Sequence, residues 1–200
     1  RAVLGHPETT HRELADHYRG LLARSLSIVT PDDEFNRLWP WAIVGTDRFV
    51  TRTPGLGTGL TAGFSTVRRG WNGEHKISGR PGYAWYFGRD AAWSALAVDG
   101  YGDFETVRRQ LDLYMRFQDH TGKIYHELMT SGVVHFDASD STPLFVILAA
   151  HYARASGDVA FVRKSWPAVK RAMDFMYSTD TDGDGLIENT DVGHGWMEPG

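Results

Sequence analysis

Apolar residues in this chain recur every three or four positions over several stretches, which is the spacing of amphipathic α-helices. The first stretch runs from Thr9 to about Leu26. A second begins at Pro31, where we expect Thr30 to be the N-cap and Pro31 the first residue of the helix. Short strands are expected only at 123–128 and 133–136, so the pattern indicates an all-α protein.

Four more helices are predicted in the second half of the chain. Asp90 to about Tyr101 is rich in Ala, and Asp103 is expected to cap the helix that follows it. The stretch from Ser141 to Ser156 is apolar on nearly every side, so we expect it deep in the core. The Ala-rich helix has an apolar face of Trp93, Leu96 and Ala97, and the stretch from Asp158 to Ser178 has one apolar stripe of Val162, Trp166, Val169, Met173 and Met176.

Long segments without helical period separate these helices: 53–82, 120–140 and the last 22 residues. Short turns between paired helices, alternating with long loops, are what a toroid of helical hairpins requires, and the long loops would then gather at one end and carry the chemistry. About five barrel helices fall short of a closed ring. We therefore expect residues 30–200 to form the first half of an incomplete barrel, preceded by a linker helix in 1–29.

Composition excludes several classes of function. The net charge of −4 and the lack of a basic run make nucleic acid and anionic membranes poor partners, and no stretch approaches ~20 consecutive apolar residues. The chain has no Cys, which excludes disulfides, thiolate metal sites and a cysteine nucleophile. A chain without Cys suits any compartment. The sequence begins at Arg1 with no charged n-region or apolar h-region, which fits both a signal peptide that has been removed and one that lies upstream, so localisation stays open.

Aromatic residues are numerous, with seven Trp, eight Tyr and ten Phe, and many stand beside Gly, Asp or His. The segments 83–87 and 39–41 either fill the core or bind sugar rings, whose C–H faces pack on aromatic planes. Cleavage of a glycosidic bond needs one carboxylic acid and a second carboxylate. Glu198 is our candidate acid because Trp196 and Met197 can raise the pKa of a neighbouring carboxyl, although a surface Glu in a turn is the simpler alternative.

Other polar residues have two interpretations each. Arg89 and Asp90 either bind vicinal sugar hydroxyls or form a helix cap with its surface partner. Of Asp137 and Asp140, one is expected to be a cap and the other to bind hydroxyls or water. The same choice between a structural role and a ligand-binding role applies to His126-Glu127 in the preceding loop.

The segment Asp180-Thr181-Asp182-Gly183-Asp184-Gly185 resembles the start of an EF-hand loop, with Asp191 at the twelfth position. It predicts either a turn tied by Asx hydrogen bonds or, as the less favoured alternative, Ca²⁺ held by Asp180, Asp182 and Asp184. No cofactor is otherwise expected, since the nine His lack the spacing of a catalytic metal site and the Gly-rich stretch 55–63 lacks the features of a phosphate-binding loop.

Four segments resemble a known family. YFGRDAAWSALA (86–97) is similar to the Arg-Asp segment of glucoamylases and of bacterial and archaeal amylo-α-1,6-glucosidases of the glycogen-debranching type. GKIYHEL (122–128) and DASDSTPLFVILAAHYARASGD (137–158) resemble the next segments of the debranching-type proteins, and DTDGDGLIEN and GHGWMEPG resemble the loop that carries their general acid. The likeness covers 86–200 well and the first 85 residues loosely.

The resemblance implies an (α/α)6 six-hairpin barrel and an exo-acting, inverting hydrolase that releases glucose from α-1,6- or α-1,4-linked glucans. It implies that Arg89 and Asp90 hold the non-reducing glucose, that Asp140 lines the site and that Glu198 is the general acid. Relatives of the debranching type usually have Asp at that last position, so Glu198 is closer to glucoamylase. The substrate-binding residues expected beside these are Trp85, Tyr86, Trp196 and His126.

The family's general base lies late in the barrel, so we expect this chain to need the rest of its barrel for activity and to bind an oligo- or polysaccharide as substrate. Disaccharide phosphorylases, trehalases and α-rhamnosidases with helical barrels are the alternatives within the fold. A non-catalytic carbohydrate-binding domain of stacked helices is the alternative from another class.

Overall fold

The computed structural model describes residues 5–63, 65–67 and 80–188, and these are mostly helical with little strand, which agrees with the all-α prediction. The helices are α1 (Pro7–Arg24), α2 (Asp33–Asp47), α3 (Gly88–Tyr101), α4 (Phe104–Arg116), α5 (Ser141–Ser156) and α6 (Val159–Ser178). The strands are β1 (Val50–Thr53), β2 (Gly57–Leu60), β3 (Ser65–Val67), β4 (Arg80–Gly82), β5 (Tyr86–Phe87), β6 (Glu127–Leu128) and β7 (Val134–His135). None of the described helices is long and apolar enough to cross a membrane.

Helix α2 begins later than the sequence suggested, because Asp32 and not Thr30 is its N-cap. The Asp32 carboxylate accepts hydrogen bonds from the backbone N–H groups of Glu34 (2.9 Å) and Phe35 (3.1 Å). Thr30 lies outside the helix, where its hydroxyl and backbone N–H bond the Asn36 side chain. A carboxylate at this position also suits the positive end of the helix dipole, which favours Asp over Thr here.

Helices α3–α4 and α5–α6 form two hairpins with the same two-residue connection. Gly102 (φ 95°) and Gly157 (φ 66°) end the first helix of each pair in the left-handed conformation, as the C-terminal residue of a helix often does. Asp103 and Asp158 then occupy the N-cap positions of α4 and α6. The predicted position of Asp103 is confirmed, but its carboxylate accepts the Thr106 hydroxyl at 2.7 Å and makes no capping hydrogen bond to a backbone N–H. The Asp158 side chain accepts the N–H of Phe161 at 3.0 Å.

The core forms where α3 packs against α5; α4 packs on both of these helices, and α6 packs on α5. The contact face of α3 consists of small residues, with Ala91, Ala92 and Ala95 fully buried, whereas Trp93 of the predicted apolar face is 60% exposed. Small side chains let two helix axes approach closely, so the packing selects the Ala face over the Trp face.

The same difference appears on α6 and α5. The buried face of α6 is formed by Phe161, Ser165, Ala168 and Ala172, and Trp166 of the predicted stripe is 61% exposed. On α5, Phe145 and Leu148 are buried, but Ile147 is half-exposed. The expected burial of α5 on nearly every side is therefore wrong for one of its faces.

Part of the predicted loop 53–82 is strand. β1 and β2 form an antiparallel hairpin, and β3 pairs antiparallel with β4. The hairpin lies on α4, where the N–H of Leu60 donates to Gln110 Oε1 at 2.8 Å and a Cβ at Gly59 would lie 2.6 Å from the Leu113 side chain. Strands this short and rich in Gly and Thr leave no apolar alternation to recognise. The strands predicted near 123–128 and 133–136 exist as β6 and β7, which pair with β5 in an antiparallel sheet of the order β5-β6-β7.

Candidate functional site

Gly88 is the point at which three chain segments meet. A Cβ at this position would lie 2.8 Å from Ser141 Cβ and less than 3.0 Å from the Tyr125 carbonyl oxygen, a separation that real Cβ atoms essentially never show. The Gly88 N–H donates to the His126 carbonyl at 2.7 Å, and its own carbonyl accepts the hydroxyl of buried Tyr114 at 2.6 Å. This contact holds the starts of α3 and α5 against the loop that leads into β6.

Arg89 directly follows Gly88 and Asp140 directly precedes Ser141, so the Gly88 contact also brings Arg89 and Asp140 together. The Arg89 Nε donates to Asp140 Oδ2, and both side chains are partly buried. The second carboxylate oxygen of Asp140, Oδ1, is buried and has no hydrogen-bond partner among the described residues. A buried carboxylate oxygen without a donor is unusual in proteins, and a water molecule or another hydroxyl would satisfy it.

Three aromatic rings, Tyr83, Trp85 and Phe87, shortly precede Arg89 in the chain and pack on one another to form what we call the aromatic wall. Trp85 stacks on Phe87 with ring centroids 5.4 Å apart, and Tyr83 lies 5.8 Å from Phe87. Tyr83 is the one described residue other than Gly with a positive φ (57°), and its ring is half-exposed. Such conformations cluster at functional sites. The sequence offers the aromatic run as a signal for Tyr83, but not its backbone conformation.

His126 extends the aromatic wall. Its ring meets Phe87 edge to face at 5.7 Å, and its Nδ1 lies 2.6 Å from Asp137 Oδ1. Burial raises the pKa of the Asp137 carboxyl, but the hydrogen bond and the charge of His126 outweigh it, so the pKa of Asp137 lies below its ordinary value. Asp137 is thus the partner of His126 and caps no helix, whereas Asp140 is both the N-cap residue of α5 and the partner of Arg89.

Lys123 is a further charged group at this end that the sequence did not single out. Its side chain is buried and its ammonium lies 5.7 Å from the centre of the Phe175 ring. Desolvation lowers the pKa of Lys123, and the charges of Asp137 and Asp119 oppose that shift.

The remaining predicted residues are placed differently. Tyr86 is fully buried, with its hydroxyl bonded to Thr53 and to the Thr51 carbonyl, so it belongs to the core and leaves no surface for a substrate. Asp90 is exposed in the first turn of α3, and the N-cap of that helix is Phe87. Glu198 and Trp196 lie outside the described residues.

The Asp-rich loop after α6 is tied by its own hydrogen bonds, as the Asx-turn interpretation predicts. Asp180 accepts the N–H groups of Gly183 (2.8 Å) and Gly185 (3.0 Å), and Glu188 accepts the N–H and hydroxyl of Thr181. Hydrogen bonds from Thr181 lower the pKa of Glu188 against a smaller effect of burial.

The residues of this loop that could hold a cation are Asp180, Asp182 and Glu188, which each offer a carboxylate oxygen within 4.8 Å of the others. Asp184, the third residue of the predicted calcium set, instead accepts the N–H of Leu186 at 2.8 Å. Asp191, expected at the twelfth position, lies outside the described residues.

No family model matches the chain, and a search of curated proteins finds no significant match. The case for a function therefore depends on the geometry of the site and on the four sequence segments described above.

Proposed function

We propose that this chain supplies the sugar-binding end and the general acid of an exo-acting, inverting glycoside hydrolase that releases glucose from α-glucans. The observation that carries the proposal is the pairing of Arg89, which closely follows the aromatic wall in the chain, with Asp140. These two residues are 51 positions apart and stand at the starts of neighbouring helices.

The chemistry of this group suits a sugar. Pyranose rings expose C–H faces that pack on aromatic planes, and their hydroxyls both donate and accept hydrogen bonds. Asp140 Oδ1 offers a buried acceptor, and the Arg89 guanidinium orients the carboxylate in a charge-assisted pair. Asp90, exposed one residue further along α3, is proposed to accept a second hydroxyl.

The two hairpins agree with a barrel of helical hairpins. Both have a Gly-Asp connection at one end, and the long segments that enter α3 and α5 meet at the other end. Repetition of this hairpin would produce an (α/α)6 toroid whose mouth carries Arg89 and Asp140. This arrangement is our proposal for the complete protein, with the general base on a later loop.

Glu198 is proposed to protonate the leaving oxygen, while a base on the opposite face of the sugar activates water. In inverting enzymes the two carboxyl groups stand about 6.5–9.5 Å apart to admit that water. The acid role requires a carboxyl that keeps its proton near neutral pH, and the neighbouring Trp196 and Met197 would favour the neutral form.

The test is substitution of Glu198 by Gln in the protein, assayed on maltodextrin and on an α-1,6-linked substrate, with the anomer of the released glucose followed by NMR. Loss of a general acid should lower kcat by roughly 10²- to 10⁴-fold, with sugar affinity retained. Glu105→Gln, at an exposed position on α4, is the matched control and should leave kcat unchanged.

Two results would contradict the proposal. Release of α-glucose by the unaltered protein would mean retention of configuration, which an inverting enzyme does not give. If Glu198→Gln changed neither the sugar affinity nor the release of glucose, the chain would instead be a carbohydrate-binding domain without catalysis.

A further inference from the structure

Both the backbone and the side chain of His126 are held in position. The backbone carbonyl of His126 accepts the Gly88 N–H at 2.7 Å, and its backbone N–H donates to the His135 carbonyl at 2.8 Å. Its ring packs edge to face on Phe87, and Nδ1 lies 2.6 Å from Asp137 Oδ1. The imidazole therefore has one orientation relative to the aromatic wall.

The contact with Asp137 also determines which ring nitrogen carries the proton. An ionised carboxylate can only accept a hydrogen bond, so Nδ1 must be the donor in this pair. In the neutral imidazole Nε2 then has a free lone pair. The Asp137 side chain is more than half exposed, and its pKa is lowered, so the carboxylate is ionised at neutral pH.

The atom Nε2 reaches solvent. No hydrogen bond of Nε2 is present among the described residues, and Nε2 is not one of their buried polar atoms without a partner. The His126 side chain is only 18% exposed, so only a small part of the ring is accessible. The rest of the ring is covered, in part by Phe87. Phe87 itself is buried, so the ring of the aromatic wall that a sugar can pack on is the half-exposed Tyr83, 5.8 Å from Phe87. A fixed acceptor in the same cluster of rings is complementary to a hydroxyl of that sugar.

We propose that His126 Nε2 accepts a hydrogen bond from a hydroxyl of the bound sugar, and that Asp137 is the positioning residue that holds His126 in the acceptor tautomer. This inference rests on the proposed function, because it assigns the ligand of the same site. It adds a third hydroxyl-binding point to those proposed at Asp140 and Asp90.

Three substitutions separate the roles of the two ring nitrogens. In Asp137→Asn the side-chain amide can donate to Nδ1, which transfers the proton to Nε2 and turns the acceptor into a donor. In His126→Gln the amide reaches the place of Nε2, and in His126→Asn it reaches only the place of Nδ1. We expect Asp137→Asn and His126→Asn to weaken sugar binding and His126→Gln to restore much of it.

The experiment measures the affinity for maltotriose by calorimetry in the Glu198→Gln background, where the probe is not consumed. Loss of one hydrogen bond between uncharged groups should weaken binding roughly 3- to 10-fold in Asp137→Asn and His126→Asn. In the active protein the same changes should raise KM and leave kcat nearly unchanged. Asp119→Asn is the control, because Asp119 is a carboxylate of the same loop that bonds Thr121 and His120.

The ¹⁵N spectrum of the His126 imidazole provides a readout that a merely structural role of Asp137 would not move. We expect the Nδ1–H tautomer in the unaltered protein and the Nε2–H tautomer in Asp137→Asn.

The outcomes distinguish the inference from the proposed function. If maltotriose binds the Glu198→Gln protein but Asp137→Asn and His126→Asn bind it equally well, or if His126 is in the Nε2–H tautomer, the inference is wrong and the proposed function stands. If maltotriose does not bind at all, both are wrong.

Discussion

The contact at Gly88 makes a strong prediction, because it has no room for a side chain. A Cβ there would lie 2.8 Å from Ser141 Cβ, about 0.7 Å inside the shortest favourable carbon–carbon separation of ~3.5 Å. It would also meet the Tyr125 carbonyl oxygen, which is backbone and cannot turn away. Gly88→Ala therefore forces α3, α5 and the loop before β6 to move apart.

The expected cost follows from this overlap. Introducing a methyl group into a closely packed contact destabilises a protein by typically about 1–3 kcal/mol. Gly100→Ala, in the same helix, is the matched control, because a Cβ there meets nothing within 4 Å and Ala is favoured over Gly in a helix by about 0.5–1 kcal/mol. We expect the two variants to differ by about 1.5–4 kcal/mol in the free energy of unfolding.

Urea denaturation of both variants measures this difference, provided that the dependence on urea concentration is unchanged. Gly88→Ala should in addition weaken sugar binding, because Arg89 and Asp140 are positioned by the same contact. An Ala variant at position 88 that is as stable as the variant at position 100 would refute the argument.

Two further predictions concern the support of the site. Gln110→Leu leaves the buried N–H of Leu60 without its acceptor. The free energy of unfolding, measured by urea denaturation, should fall by about 1–3 kcal/mol. An unchanged urea midpoint would mean that this hydrogen bond does not hold the β1–β2 hairpin on α4. The pKa of Asp158 is lowered, mainly because the Phe161 N–H donates a hydrogen bond to its carboxylate. The ionised Asp158 therefore stabilises the folded protein at pH values above its unfolded-state pKa. This contribution is lost as the pH falls through the lower folded-state pKa. Asp158→Asn should therefore reduce the acid sensitivity of thermal unfolding, and a variant with the same pH profile as the unaltered protein would contradict this.

Local signals in the sequence were enough to place the helices in the second half of the chain. Gly102 and Gly157 stop α3 and α5, and the Asp that follows each of them occupies the N-cap position of the next helix. These effects act within four residues, so they survive in any tertiary context. Thr30 shows the limit of such signals, because two good capping residues compete within three positions and Asp32 takes the role.

The candidate site was partly visible in the sequence. Arg89, Asp140 and His126 were each singled out, but only the fold establishes that Arg89 pairs with Asp140 and that His126 pairs with Asp137. Tyr86 was assigned to the wrong environment because alternate residues of a strand point to opposite faces. Phe87 packs against Trp85 and His126, and its neighbour Tyr86 points to the opposite side, into the core.

What the sequence by itself determined is therefore the set of elements and the types of chemistry on offer: helices with their starts and stops, an aromatic run, and acidic and basic residues at loop ends. What only the tertiary structure decided is which helix faces are buried and which loop residues meet. Hydrophobicity favours Trp93 and Trp166 for the core, yet the Ala and Ser faces of α3 and α6 are buried because small side chains let helices approach closely. The contact at Gly88 joins segments that are far apart in the chain, and such proximity is a property of the packed molecule.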